Sequence, residues 1–188
     1  MLYIIFLLLI NGSVIMLKRP QPFIQLQSTK NFKAKYIKIQ QLLFSLLNTP
    51  IQDVYHIGGT KQTLYTTEPI LDVLVTVRSL HDITSLDEKR LNYHNIYRLH
   101  HSYKKKIMMA QFKDMITLRQ IVRIHIVEQN SQMLYDYLTV DELLNHDNSV
   151  IDSFQSFKIN TINNNKSVRE YENNKQQWFQ QLIEKHCS

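Results

Sequence analysis

The sequence predicts an α/β (α+β) domain built on a mixed, mostly antiparallel sheet flanked by helices. Three observations carry this reading. Between Lys30 and Leu47 the apolar residues Phe32, Tyr36, Ile39, Leu43 and Leu46 recur at the three-and-four spacing of an amphipathic helix. Between Ile70 and Val77 the residues alternate as in a strand, with Leu71, Val73, Val75 and Val77 on one face and Ile70, Asp72, Leu74 and Thr76 on the other. Ser167-Val168-Arg169-Glu170 is a capping box, which opens a C-terminal helix by satisfying two otherwise orphan backbone donors. With 188 residues, 44% hydrophobic and 20% charged, the chain can bury one core, and disorder is excluded as its default state.

Taken in order, the first seventeen residues stand apart. Leu2 to Ile10 is an unbroken apolar run. It falls short of the about twenty residues of a membrane-spanning helix, and extending it to Leu17 puts Asn11, Gly12 and Ser13 in lipid. No basic residue precedes the run, as one would in a secretory signal. Three readings stay open: a start upstream of the true one at Met16, a membrane anchor, or a secreted product. Purine-rich codons for Gly12-Ser13 would lie at ribosome-binding distance from Met16, and MLKRPQPF is an ordinary soluble beginning. Residues 18–188 are read as a single domain.

Ser28 and Thr29 cap the first helix and Asn48-Thr49-Pro50 ends it. Val54 to Ile57 reads as a short strand running into Gly58-Gly59-Thr60, and Pro69 opens the strand from Ile70 to Val77. Asp82 to Leu91 reads as a helix, and Ile96–Leu99, Ile107–Phe112 and Leu118–Glu128 as strands. Asn130 or Ser131 caps a helix through Leu144, and the last helix lines Val168, Tyr171, Lys175, Trp178 and Leu182 along one face. No internal repeat or long linker divides the chain.

The formal charge of +6 and pI near 9.3 fit an anionic partner: a nucleotide, a nucleic acid or a membrane surface, the last only if the leader is retained. They equally fit AT-rich codon usage, which runs such as Asn163-Asn164-Asn165-Lys166 suggest. Cys187 is the only cysteine. That excludes an internal disulfide and a cysteine metal cluster, and suits a reducing cytoplasm. No Walker, Rossmann or Gly-x-Ser-x-Gly pattern is present, and the eight histidines lack the paired helical spacing of a zinc site.

Of the three glycines, two are adjacent at Gly58-Gly59, between a strand and a loop. Such a pair permits backbone angles closed to other residues, and successive N–H groups in such a turn can cradle a phosphate. A tight turn needed only for folding would look the same. Asp72 is the only charge in Ile70 to Val77, so its carboxylate sits on an otherwise apolar strand, at a cost unless a cation or donors accompany it. A Gly-Gly turn followed by such an Asp is the arrangement of the nucleotidyltransferase superfamily, where the turn holds triphosphate and strand carboxylates hold magnesium.

His56-Ile57-Gly58-Gly59-Thr60 and Glu68-Pro69-Ile70-Leu71-Asp72-Val73-Leu74-Val75 resemble the GrpB-family signature HIGSTAVPGLAAKPIIDILV. Arg123-Ile124-His125-Ile126-Val127-Glu128 with Ser131 resembles its HLHLVEPGS, and Tyr171 and Lys175 its C-terminal Y…K pattern. The resemblance runs from about Val54 to the C-terminus. It implies a nucleotidyltransferase-like fold of poorly defined activity, sometimes fused to dephospho-CoA kinase, binding a nucleotide or phosphometabolite. By position it makes Gly58, Gly59, Thr60 and Arg123 the phosphate side, Asp72 and His125 the catalytic pair, and Asp72 the ligand of Mg2+.

The departures bear on chemistry. Two-metal phosphoryl transfer uses several carboxylates, yet the position two residues after Asp72 is Leu74. The family's Pro-Gly is Thr63-Leu64, its Lys is Glu68, and the first His of its His-x-His is Arg123. A carboxylate about 4 Å from a phosphate oxygen repels it by about 4 kcal/mol at an effective dielectric near 20, so Glu68 opposes binding if it faces the site. Arg123 reads either as a phosphate ligand or as an ion-pair partner of Asp72. The expectation is weak or lost transferase activity. From another class, the basic, aromatic stretch His100-His101-Ser102-Tyr103-Lys104-Lys105-Lys106 reads as a protein- or RNA-binding loop, or as a solvated one.

Overall fold

A computed structural model describes residues 29–62, 64–99, 105–164 and 168–186. They fall into two compact units that divide between Gln155 and Ser156. The first unit runs α1 (Thr29–Phe44), β1 (Ile51–Ile57), a one-turn α2 (Gly59–Gln62), β2 (Leu71–Val77), a 3-10 turn (Leu80–Ser85), α3 (Glu88–Tyr93), β3 (Ile96–Leu99), β4 (Ile107–Phe112), β5 (Gln120–Glu128), α4 (Gln132–His146) and the first half of α5 (Asn148–Asn164). Its five strands lie in the order β1-β2-β5-β4-β3. Only β2 and β5 pair in parallel; the other three pairings are antiparallel. This is the expected mixed, mostly antiparallel sheet.

The alternation along β2 sorts the sheet into two faces. Leu71, Val73, Val75 and Val77 are fully buried in the larger core, where Ile39, Leu43 and Leu46 arrive from the first helical segment and Val122, Ile124 and Ile126 from β5. Each such side chain contributes about 1.5–3 kcal/mol by leaving water. The opposite face gathers Ile57, Leu74, Val127 and Leu134, with Tyr137 and Leu138 of α4 packed on them. Asp72 shares this second face with Leu74. The β2–β5 register sets Arg123 beside Asp72 and His125 beside Leu74.

Among the departures from expectation, which include the start of β1 at Ile51 rather than Val54, four have a clear local cause. α1 stops at Phe44, and Asn48, in a left-handed conformation, turns the chain (φ 49°). Residues 82–91 do not form one helix. Ser79 and Asp82 close a capping box one turn early, and Asp87 then starts α3 by accepting from the Arg90 N–H. Leu118 is left-handed (φ 51°), so β5 begins at Gln120. Asp147 accepts from the N–H groups of Ser149 and Val150 and so opens α5, a helix not expected from the sequence.

The second unit holds the end of α5 and α6 (Val168–His186). Phe157 and Trp178 stack with centroids 5.8 Å apart, and Tyr171 is fully buried. Lys175 Nζ lies 2.8 Å from Glu172 and 5.2 Å from the centroid of the Tyr171 ring. Ser167 of the expected capping box, the leader and His100 to Lys104 of the basic loop lie outside the described residues. Among the described residues, no helix is long and apolar enough to cross a membrane.

Candidate functional site

The two adjacent glycines are required for different reasons. Gly58 has φ +77°, in the left-handed region, and a methyl carbon built on it would lie 3.3 Å from Asp72 Oδ2. The turn therefore passes directly against the Asp72 carboxylate. Gly59 has no room for a side chain: its methyl would fall 2.7 Å from Thr67 and 2.8 Å from the Tyr65 ring. Thr60 is 1% exposed, and its hydroxyl lies 3.1 Å from His56 Nε2. Gly59 and Thr60 are both buried, and as the first residues of a helical turn their backbone N–H groups have no intrahelical acceptor.

A carboxylate that the sequence reading did not single out reaches this turn from α4. Asp141 Oδ1 accepts from the Gly58 N–H at 2.9 Å, and Oδ2 accepts from Lys61 Nζ at 2.5 Å and Asn145 Nδ2 at 3.2 Å. Its signal was present: Leu134, Leu138, Asp141 and Asn145 recur at three-and-four spacing, so an acid and an amide continue the face that two leucines begin. Lys61, likewise unsuspected, supplies its counter-charge.

Side by side with the turn, β2 and β5 present three further groups. His125 Nε2 lies 3.5 Å from Asp72 Oδ1, and Nδ1 lies 3.0 Å from the Tyr137 hydroxyl. Burial is the main force that lowers the His125 pKa, and the Asp72 carboxylate opposes it. Arg123 Nη2 lies 3.8 Å from Glu68 Oε1, and its Nε donates to Gln120 Oε1 at 2.9 Å. Glu68 therefore faces a cation, and is itself buried at 7% exposure. The structure brings Gly58, Asp72, Arg123 and His125 onto one face of the sheet, with Gly59 and Thr60 following in the turn.

His56 sits differently. Its ring stacks on Tyr36 of α1 at 5.2 Å, and burial above all pushes its pKa down to about 4, the Asp72 charge acting against this. Tyr65 is held well above the ordinary tyrosine range by burial, reinforced by the Asp141 and Asp72 charges. For metal, Asp72 is one oxygen donor. Among the described residues, no three His, Cys, Asp or Glu side chains converge as a metal-holding group. That set does not make a closed protein site. It fits a magnesium ion delivered on a phosphate ligand, which needs only one or two carboxylates from the protein.

The fold and this face define a small α+β protein with a Gly turn set against a strand carboxylate. A family model described as GrpB protein matches residues 24–185, and the chain belongs to the GrpB family. The glutamate-rich protein GrpB of Alkalihalophilus pseudofirmus is 25% identical over 157 residues, covering 82% of this chain and 90% of that protein. The crystal structure of the conserved protein GrpB from Enterococcus faecalis is similar at a TM-score of 0.71 with 14% identity, covering 89% of this chain and all of that one. A weaker similarity, TM-score 0.45 at 11% identity, is to the Cid1 poly(U) polymerase bound to MgGTP, over 66% of this chain and 40% of that one.

Proposed function

We propose that the protein binds a nucleotide or phosphometabolite on the face shared by Gly58, Asp72, Arg123 and His125, and that its transferase activity is weak or lost. The observation that carries this reading is the contact of the Gly58 turn with Asp72, which joins a backbone cradle to a carboxylate. Gly59 and Thr60 N–H groups would hold phosphate oxygens, Arg123 would add charge, and Asp72 would give one oxygen to a phosphate-borne Mg2+. His125 would act with Asp72, whose carboxylate lies 3.5 Å from its Nε2. When bound, the ion would neutralise charge on the phosphate.

Weak or lost activity follows from the carboxylate set. Leu74, fully buried, stands where a second acid on β2 would be, while Glu68 and Asp141 each face a cation of this chain. A two-metal clamp needs several carboxylates free to take metal. A screen of thermal stability against nucleotides and coenzyme A-related metabolites, each with and without magnesium, tests the reading. A magnesium-dependent rise in Tm for at least one phosphorylated compound is expected. No response from any of them, with salt-sensitive RNA binding that ignores magnesium, would favour the basic-loop module instead.

A further inference from the structure

We propose that Tyr137 and Lys106 are positioning residues for His125, fixing its neutral ring with the proton on Nε2, where it is donated to Asp72. The proposal deepens the reading of Asp72 and His125 as the working pair and takes its purpose from that reading, but its geometry stands alone. Tyr137, on α4, lies over β5 with its ring centroid 5.2 Å from that of His125, tilted by 53°. Its hydroxyl oxygen is 3.0 Å from His125 Nδ1 and 3.0 Å from Lys106 Nζ, which enters just before β4. Lys106 also lies 5.6 Å from the centroid of the Tyr137 ring.

The direction of each bond follows from donor and acceptor chemistry. An ammonium has only hydrogens to give. The Tyr137 oxygen therefore accepts from Lys106. The Asp72 carboxylate facing Nε2 can also only accept, so in a ring with one N–H it is Nδ1 that accepts the Tyr137 O–H. A ring nitrogen that accepts a hydrogen bond carries no proton, so the single N–H of neutral His125 is on Nε2. That nitrogen is the one 3.5 Å from Asp72 Oδ1. The bland role for Tyr137 is apolar cover, since its ring packs on Ile57, Leu74, Val127 and Leu134. Phenylalanine would serve that role equally, and only the hydroxyl separates the two.

In consequence Oδ1 of Asp72 faces His125, while Oδ2 borders the space that a side chain at Gly58 would fill. Nitrogen NMR of the whole chain, with 15N-labelled histidine at neutral pH, reads the tautomer directly; His125→Gln assigns the signals by their loss. Wild type is expected to show His125 as a single form protonated on Nε2. Tyr137→Phe is expected to release it into a mixture of both tautomers, and Lys106→Met to do so partially. A wild-type ring protonated on Nδ1, or on both nitrogens, overturns the proposal, as does an unchanged Nε2 pattern in Tyr137→Phe. If Tyr137→Phe does not fold, Lys106→Met, which keeps the aromatic ring, decides in its place. Magnesium-ATP added to the same samples separates the two readings. An Nε2-protonated ring in a protein indifferent to the nucleotide keeps the positioning and removes ATP as a ligand. A nucleotide response from a ring protonated on Nδ1 does the reverse.

Discussion

Asp141→Ala should destabilise the protein far more than Lys61→Ala, although the two residues form one ion pair. The Asp141 side chain is 10% exposed and accepts from the Gly58 N–H at 2.9 Å, whereas Lys61 is 35% exposed. Removing the carboxylate leaves a part-buried backbone donor without its acceptor, at about 1–3 kcal/mol. It also strands Lys61, but a half-exposed ammonium turns to water, so that part is about 0–1 kcal/mol. The sum for Asp141→Ala is about 1–4 kcal/mol, against less than about 1 kcal/mol for Lys61→Ala. For a chain of this size that is a fall in Tm of roughly 2–16 °C for the first and a few degrees at most for the second. Asp141→Asn keeps an oxygen for the Gly58 N–H and should fall between them. Thermal melts by circular dichroism in the absence of ligand measure all three. Equal losses for Lys61→Ala and Asp141→Ala would mean that charge pairing, not the backbone bond, carries the contact, and would refute the reasoning.

The two glycines should also separate by mechanism. Gly58→Ala forces a left-handed alanine at about 1–2 kcal/mol, and Gly59→Ala drives a methyl into Thr67 and Tyr65 at about 1–3 kcal/mol; denaturant midpoints check both, and a variant as stable as wild type would remove the constraint at that position. His56, with its pKa lowered to about 4, prefers to be neutral in the folded state, so its contribution to stability is present above pH 6.5 and is lost as pH falls from there towards 4. His56→Gln should make the acid limb of a Tm-against-pH profile shallower in that window, with part of the slope retained because His125 shifts in the same direction. For Glu68 and Arg123, 3.8 Å apart and largely buried, a double-mutant cycle with Glu68→Gln and Arg123→Gln should return a coupling of about 1–3 kcal/mol. A coupling indistinguishable from zero would mean that solvent screens the pair.

The parts of the fold legible in the sequence were those where burial imposes a period. β2 shows this best: its alternation placed Leu71, Val73, Val75 and Val77 on one face and Asp72 on the other, and the larger core is built on that assignment. The cap expected at Asn130 or Ser131 falls on Ser131, whose hydroxyl accepts from the Leu134 N–H and donates to the Glu128 carbonyl. α5 was overlooked because polar residues crowd it and its end is asparagine-rich. Yet Val150, Ile151, Phe154 and Phe157 recur at helical spacing after Asp147. At the site, Asp72 could be found because an acid on an apolar strand is conspicuous. Asp141 obeys the same logic on a helix, where the longer period hides it. The partners were less legible than the residues. Arg123 stands beside Asp72 in register, but the facing of Glu68 towards it depends on the path of the loop before β2, which no local periodicity specifies.

The central claim is that Asp72 and the Gly58 turn together receive a phosphorylated ligand. It is tested most directly by calorimetric titration of the compound that gives the largest magnesium-dependent rise in Tm, into wild type and Asp72→Asn. Asparagine keeps the size of the side chain and loses the charge needed for magnesium. Wild type is expected to bind with an affinity that falls at least tenfold when magnesium is chelated, a change of about 1.4 kcal/mol. Asp72→Asn is expected to bind at the weaker level under both conditions. An Asp72→Asn variant that binds as tightly as wild type, with the same dependence on magnesium, would contradict the claim and move the ligand away from this face.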